Sequence, residues 1–167
     1  MPEENVDINV QIRRLSHNIV TDGFGVMIFA LWGFFKVALA LMYDGIDMSF
    51  MEDVEVDIDR EALEIVGKVI FVALFASLNL LQLYLGRCAV KYGRGLRKKW
   101  GFLVLAILYA VVIFMEIPSY FRDPEAYSQV DASIAAVMID VTIVLILFDM
   151  VYSAIRLRLI KKKRGLG

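Results

Sequence analysis

Four long apolar stretches constrain this chain more than any other feature, and they lie at residues 19–43, 65–85, 102–121 and 134–155. A helix rises about 1.5 Å per residue, so about 20 apolar residues are needed to cross roughly 30 Å of hydrocarbon. Hydrophobic residues make up 59% of the chain, a share above that of ordinary soluble domains. We therefore predict an all-α fold, a four-transmembrane-helix bundle that occupies residues 19–155 of a multi-pass integral membrane protein.

Charged residues divide the connecting segments into two classes. The inner loop, residues 86–101, and the tail, residues 156–167, each contain six Lys or Arg and no acid. The loop at residues 44–64 contains nine acids and a single Arg, and the turn at residues 122–133 is also mainly acidic. Lys and Arg concentrate on the cytoplasmic side of membrane proteins. The sequence thus predicts cytoplasmic N and C termini, an acidic outer loop, and a location in the plasma (inner) membrane.

The first 18 residues precede the apolar stretches and have a pattern of their own. Ile8, Ile12, Leu15 and Ile19 recur every three or four residues, which indicates a helix with one apolar face. Two interpretations fit equally well: a short amphipathic N-terminal helix on the inner membrane surface, or a simple extension of the first membrane helix. In both, residues 1–18 form a cytoplasmic segment.

The acidic outer loop fits two secondary structures. Acids occupy every second position from Asp53 to Asp59, and this period of two predicts a strand. Apolar residues at helical spacing from Met51 to Ile65 predict a helix that continues into the second apolar stretch, and we favour this one. The acids would concentrate cations outside a pore; the simpler interpretation is a solvated face that enforces topology.

Six polar or charged residues within the apolar stretches form a predicted transport or charge network. They are Lys36, Asn79, Gln82, Glu116, Asp140 and Asp149. Ionisable residues are costly inside a membrane, so they pair with one another, face protein or water, and mark ion or proton paths. The simpler interpretation is that they hold the helices together through interhelical hydrogen bonds and a Lys–Asp pair.

Depth along the helices determines which of these charges can meet. Lys36 lies about two turns, roughly 10 Å, below the outer end of its helix, and Asp140 lies at a similar depth in the fourth apolar stretch. Glu116 lies slightly nearer the outer surface. We therefore expect Lys36 to neutralise Asp140, with Glu116 close by.

The two aspartates of the fourth stretch cannot share one environment. Asp140 and Asp149 are nine residues apart, and at about 100° per residue they lie on opposite sides of a helix. A helix at the edge of a four-helix bundle has one inward face, so one aspartate must face a neighbouring chain, water or lipid. Asp22, Asn79 and Gln82 lie at the depth of Asp149, and we expect Asp149 to meet either a polar patch with Asn79 and Gln82 or a group outside the bundle.

The inner loop and the tail also predict contact with anionic lipid at the inner surface of the bilayer. Each cation near the membrane surface contributes about 1 kcal/mol of attraction to anionic headgroups. The residues concerned are Arg94, Arg97, Lys98, Lys99, Lys161, Lys162 and Lys163. The simpler interpretation is that these charges set the topology alone, and positive charge by itself gives no support for nucleic-acid binding.

Several classes of function are disfavoured by what the chain lacks. Cys88 is its single cysteine and His17 its single histidine, so one chain forms neither a disulfide nor a Cys/His zinc site. A histidine-rich di-iron or haem site is excluded for the same reason. We expect no cofactor and no metal site, and no enzymatic activity, with lipid modification the least supported of the alternatives.

The predicted function follows from the intramembrane charges. We expect a small channel or transporter that works as a homo-oligomer and carries a cation or a proton past the charged side chains. The alternative is a non-enzymatic accessory or assembly subunit of a larger membrane complex, because the bundle itself cannot pair both aspartates of the fourth stretch.

Overall fold

The structure, a computed structural model, describes residues 2–42, 60–96, 99–118 and 130–163. Within these ranges the chain is helical and contains no strand, which confirms the predicted all-α class. The four helices are α1, Pro2–Met42; α2, Arg60–Gly93; α3, Phe102–Glu116; and α4, Val130–Lys163.

Three of the helices are long and apolar enough to cross a bilayer. The candidate spans are Ile8–Phe35, Ile65–Gly93 and Val137–Lys163, and between 22% and 33% of each apolar window is buried within the chain. The remaining apolar surface is exposed, as expected for helices that face lipid. α3 has 15 residues and a length of about 22 Å, shorter than the hydrocarbon layer. Three of the four predicted crossings thus have spanning length, and residues 119–121 of the other lie outside the described residues.

The helices extend beyond the predicted apolar stretches. α1 runs without a break from Pro2 to Met42, so the first 18 residues extend the first membrane helix rather than form a separate helix. α4 continues through Lys163, which makes most of the predicted tail helical. α2 begins at Arg60, so the end of the acidic loop is helical, while residues 43–59 lie outside the described residues.

A Schellman motif ends α2. The amide of Leu96 donates to the carbonyl of Lys91 at 2.9 Å, and the amide of Gly95 donates to the carbonyl of Tyr92 at 3.0 Å. Gly95 has a φ of 75°, the left-handed conformation that this cap requires and that glycine adopts without a steric penalty. The chain can therefore reverse within the basic loop and enter α3 at Phe102.

The helices fall into two compact units: residues 1–29 with 84–167, and residues 30–83. In the first unit, α1 and the end of α2 pack antiparallel at glycines. A Cβ on Gly86 would lie 2.6 Å from the carbonyl oxygen of Gly23, and a Cβ on Gly93 would lie 2.8 Å from that of Ser16. Only residues without a side chain permit two helix backbones to approach so closely.

α3 and α4 complete the first unit. They pack against each other, and the ring of Phe102 at the start of α3 lies 5.5 Å from that of Tyr92 in α2. Leu85, Phe102, Leu147 and Met150 are almost completely buried. Each of the three helices therefore contributes at least one large side chain to a shared core.

The second unit contains the end of α1 and the first two thirds of α2. A Cβ on Gly33 would overlap Oδ1 of Asn79, so the missing side chain of Gly33 creates the space that the Asn79 amide fills. Oδ1 lies in the direction of a Cα hydrogen of Gly33, the arrangement of a weak Cα–H···O contact between helices.

Candidate functional site

The two aspartates of α4 lie in different environments. Ile143, Leu147, Met150 and Ala154 form the buried stripe of this helix. Asp140 lies one turn before Ile143 at the edge of that stripe, is half-buried, and takes part in a polar contact. Asp149 is exposed at the surface of the single chain. The burial pattern thus separates the two carboxylates, as the nine-residue spacing predicts.

Asp22 of α1 is the acidic neighbour of Asp149. It is half-buried on the same side of α1 as Ile19 and Val26. The negative charges of Asp22 and Asp149 repel each other. The backbone agrees with this proximity, because a Cβ on Gly25 would lie 3.4 Å from Cδ1 of Ile146. α1 and α4 therefore run antiparallel here, with Gly25 beside Ile146 and, one turn away, Asp22 beside Asp149.

One carboxylate oxygen of the Asp22–Asp149 pair is buried and accepts no hydrogen bond from the described residues. Oδ2 of Asp22 is inaccessible to solvent, and no donor among the described residues lies within hydrogen-bonding distance of it. A buried carboxylate oxygen without a donor is costly when it carries charge. The burial of Oδ2 of Asp22 is therefore not offset by any donor among the described residues.

The distances from the flanking arginines show how deep the Asp22–Asp149 pair lies along the two helices. Asp22 lies eight residues after Arg14, and Asp149 lies seven residues before Arg156, which corresponds to about 12 and 10 Å along a helix. Both carboxylates are thus a similar distance inside the apolar stretches, at the end of the helices where the basic residues lie.

The two amides of the predicted network lie in the second unit. Asn79 and Gln82 are 5% and 3% exposed. Nδ2 of Asn79 donates to the carbonyl of Phe75 in the same helix at 2.8 Å, while its Oδ1 contacts Gly33. Asn79 is therefore a packing residue between α1 and α2, which favours the simpler interpretation, helix association, at this position.

The remaining two members of the network are described by their backbones alone. Lys36 lies within α1, and Glu116 is the last residue of α3. Their side chains lie outside the described residues. The proposed pairing of Lys36 with Asp140, with Glu116 close by, stays a prediction.

The basic residues around the α2–α3 connection contact aromatic rings. The guanidinium of Arg158 lies 4.5 Å from the centre of the Trp100 ring, and that of Arg94 lies 6.0 Å from the centre of the Phe24 ring. Both distances are within the range of cation–π attraction. The sequence predicts that Trp100 and Arg158 lie near the inner membrane surface. It does not predict their contact, which depends on the register of α3 against α4.

The other cations predicted to contact anionic lipid have varied surroundings. Lys99, Lys162 and Lys163 are exposed, and Lys161 is half-buried. Arg97 and Lys98 lie outside the described residues. The exposed side chains are free to reach a lipid surface, and contact with anionic lipid stays a prediction.

The described residues contain no group of three or more His, Cys, Asp or Glu side chains arranged as metal ligands. Nothing among protein-family models, curated proteins or solved structures matches this chain. Its function must therefore be argued from its own side chains.

Proposed function

We propose that this protein is a channel or transporter that works as a homo-oligomer and moves protons or small monovalent cations past intramembrane carboxylates. The observation that supports the proposal is the Asp22–Asp149 pair, in which one buried oxygen has no donor among the described residues and the two charges repel. In a medium of low dielectric constant, two neighbouring carboxylates are stabilised by binding a proton or a cation. Such a site binds and releases charge without a cofactor.

The exposure of Asp149 supports a second copy of the chain as part of the path. A charged side chain within a membrane helix is costly when it faces lipid. Asp149 is exposed in the single chain, while large apolar residues such as Leu145 and Phe148 surround it on the same surface. Another protomer packed on this face of α4 would shield Asp149 from lipid and leave Asp22 accessible to ions through it.

The proposal includes a membrane topology. We place both termini and the basic loop in the cytoplasm and the protein in the plasma (inner) membrane. The predicted stretch 102–121, which includes α3, is the remaining crossing beside those of the three long helices. The antiparallel contact of α1 with α4 supports this placement of the termini, because it puts the N-terminal part of α1 and the C-terminal part of α4 at the same end of the first unit. The excess of Lys and Arg at that end supports its cytoplasmic side.

Asp140, Lys36 and Glu116 would continue the path toward the outer surface. Asp140 lies nine residues, about 13 Å, along α4 from Asp149, too far for a direct exchange of an ion. The sequence-based pairing of Lys36 with Asp140, with Glu116 close by, is part of this proposal. Asn79 and Gln82 would keep α1 and α2 in the register that the path requires.

The flux of ions into vesicles tests the proposal. Purified protein is reconstituted into lipid vesicles that contain a pH-sensitive dye, and proton and K⁺ gradients are imposed separately. We expect flux above that of empty vesicles, and a decrease of at least tenfold in D22N and D149N, because an amide does not exchange a proton at neutral pH. Thr142→Val is the matched control: Thr142 is exposed on α4, and its hydroxyl donates to the carbonyl of Met138, four residues earlier. Wild-type flux in D149N, or no flux under any gradient, would contradict the proposal.

The exposed Asp149 also supports the alternative, a non-enzymatic accessory or assembly subunit. A basic or hydrogen-bonding residue in a larger membrane protein would pair with Asp149 as well as a second copy would. Native mass spectrometry of the complex extracted from its own membrane separates the two. A homo-oligomer supports the transport proposal, whereas a stoichiometric complex with a different membrane protein supports the accessory role.

A further inference from the structure

A groove of about 250 Å³ lies between α3 and α4 in the first unit. One end is apolar and is lined by Ile107 and Ile155, both about half-exposed, and Val104 and Leu159 continue the apolar wall toward the other end. The other end contains Arg158 and Lys162, beside Trp100. The groove therefore has an apolar part and a cationic end. Neither Asp22 nor Asp149 lines it, so it is separate from the proposed ion path.

The cationic end is arranged to bind an anion. The guanidinium of Arg158 lies 4.5 Å from the centre of the Trp100 ring, and stacking on an aromatic ring covers a face of the guanidinium while its N–H donors at the edge stay available. No acid occurs in residues 86–115 or 150–167. The segments that form this end of the groove therefore contain no carboxylate that competes for the two cations.

We propose that this groove is a binding site for one anionic phospholipid. Arg158 and Lys162 bind the phosphate of the headgroup, Arg158 through two parallel N–H···O bonds and Lys162 as a point charge. An acyl chain lies along Val104, Ile107 and Leu159. Trp100 marks the level of the membrane interface, where the headgroup of a phospholipid also lies.

The order of the groups along α4 fits a phospholipid better than a peptide. Ile155, Arg158, Leu159 and Lys162 lie on one side of the helix. Ile155, the first of the four, is apolar and lies toward the middle of α4, and the two cations follow it toward the end of the helix, with Leu159 between them. A phospholipid in the bilayer has the same order, with its chains inside and its phosphate at the surface. This site does not depend on the Asp22–Asp149 pair, and it would exist whether or not that pair moves ions.

Fluorescence of Trp100 tests the proposal directly. The full chain with Trp32→Phe, which leaves Trp100 as the single tryptophan, is reconstituted into phosphatidylcholine vesicles. A small fraction of the lipid is replaced by lipid with brominated acyl chains, which quench tryptophan on contact. The brominated lipid has either a phosphatidylglycerol or a phosphatidylcholine headgroup. We expect the anionic lipid to quench at several-fold lower mole fraction, and millimolar inorganic phosphate in the buffer to leave this difference unchanged.

Two arginines of α4 provide a matched pair of variants. Arg158→Gln removes a cation at the groove, and we expect the preference for the anionic lipid to fall at least about fivefold, because the charge-assisted hydrogen bonds to the phosphate are lost. Arg156→Gln removes the same charge two residues earlier, where the guanidinium donates to the hydroxyl of Tyr152 at 3.2 Å, and we expect the preference to fall less than twofold. Circular dichroism checks that both variants retain their helices.

Three results would overturn the proposal. Equal quenching by the two brominated lipids would mean that the groove does not select an anionic headgroup. Equal loss of preference in R156Q and R158Q would mean that net surface charge, rather than the groove, attracts the lipid. Loss of the preference in millimolar phosphate would mean that the cationic end binds free phosphate and that the acyl groove contributes nothing.

Discussion

The contact between α1 and α2 and the contact between α3 and α4 are built in opposite ways. Around Gly23, Gly86 and Gly93 the backbones of α1 and α2 approach so closely that an added Cβ would lie under 3.0 Å from a backbone oxygen. α3 and α4 also pack together, but half-exposed aliphatic side chains keep a groove open between them. The contact between α1 and α2 leaves no space for a further side chain, whereas the contact between α3 and α4 leaves space for a small molecule or part of one.

This difference follows from the solvent. Lipid chains are as apolar as leucine, so burial from lipid contributes little to the association of helices, and close packing contributes most. Helices without bulky side chains at their contact gain that packing along their backbones. Helices with branched side chains at their contact pack less completely, and lipid fills the remaining space. The two contacts should therefore respond very differently to a change of one side chain.

The largest effect is expected for Gly86→Leu, which breaks the close contact. A Cβ on Gly86 would lie 2.6 Å from the carbonyl oxygen of Gly23 and 2.6 Å from Cγ of Met27, so the backbones must separate. We expect a loss of about 3 kcal/mol or more in the free energy of unfolding, measured by urea titration in detergent with circular dichroism.

Gly101→Leu is the matched control for that substitution. Gly101 has helical φ and ψ angles of −55° and −22°, and nothing lies within 4 Å of a Cβ built on it. We expect less than about 1 kcal/mol. If Gly86→Leu were as harmless as Gly101→Leu, the close contact would not hold α1 and α2 together.

A smaller effect is expected in the second unit, where one amide replaces the absent side chain of a glycine. Gly33→Ala adds a Cβ that overlaps Oδ1 of Asn79, and we expect a loss of about 2 kcal/mol. Asn79→Ala removes the amide and leaves space for that Cβ, so the double variant should be more stable than the sum of the single changes predicts. The same titration measures all three variants, and simple additivity would show that the two residues do not interact.

A change of opposite sign is expected at the contact between α1 and α4. Asp22→Asn removes a charge that is repelled by Asp149 and leaves the shape unchanged, so we expect a gain of about 1 kcal/mol in the free energy of unfolding at neutral pH. Destabilisation by D22N would mean that the Asp22 charge is compensated in the folded protein. A more stable D22N with lower flux would show that the pair is retained for function.

The sequence predicts the helices well because hydrophobicity alone determines which segments cross a bilayer. The limits of the apolar stretches are not the ends of the helices: the first stretch begins at residue 19 and α1 at Pro2, and the fourth stretch ends at residue 155 and α4 at Lys163. A helix continues into water as long as its residues favour it and nothing caps it. A cap does form at Gly95, and it ends α2.

The candidate site is predicted in part. The separation of Asp140 from Asp149 depends only on the 100° rotation per residue, so it can be derived from spacing. The neighbour of Asp149 depends on how α1 is placed against α4, which is fixed by the fit of Gly25 against Ile146. From depth alone, the prediction for Asp149 is a polar patch with Asn79 and Gln82 or a group outside the bundle, whereas the structure gives Asp22 as its neighbour. Tertiary contacts of this kind are set by shape, and a single sequence does not give the register of one helix against another.

The smallest effect is expected at the contact between α3 and α4. It tests most directly how this contact differs from the contact between α1 and α2. Val104→Ala removes two methyl groups from a residue of the groove wall that is 50% exposed, whereas Leu103→Ala truncates a residue of the same wall that is 4% exposed. We expect under about 0.5 kcal/mol for Val104→Ala and about 2 kcal/mol for Leu103→Ala in the urea titration. The exposed part of the groove wall should contribute little to the stability of the helix pair, because lipid or detergent replaces the methyl groups that Val104→Ala removes. A large effect of Val104→Ala would mean that α3 and α4 close over the groove, and that no lipid chain lies between them.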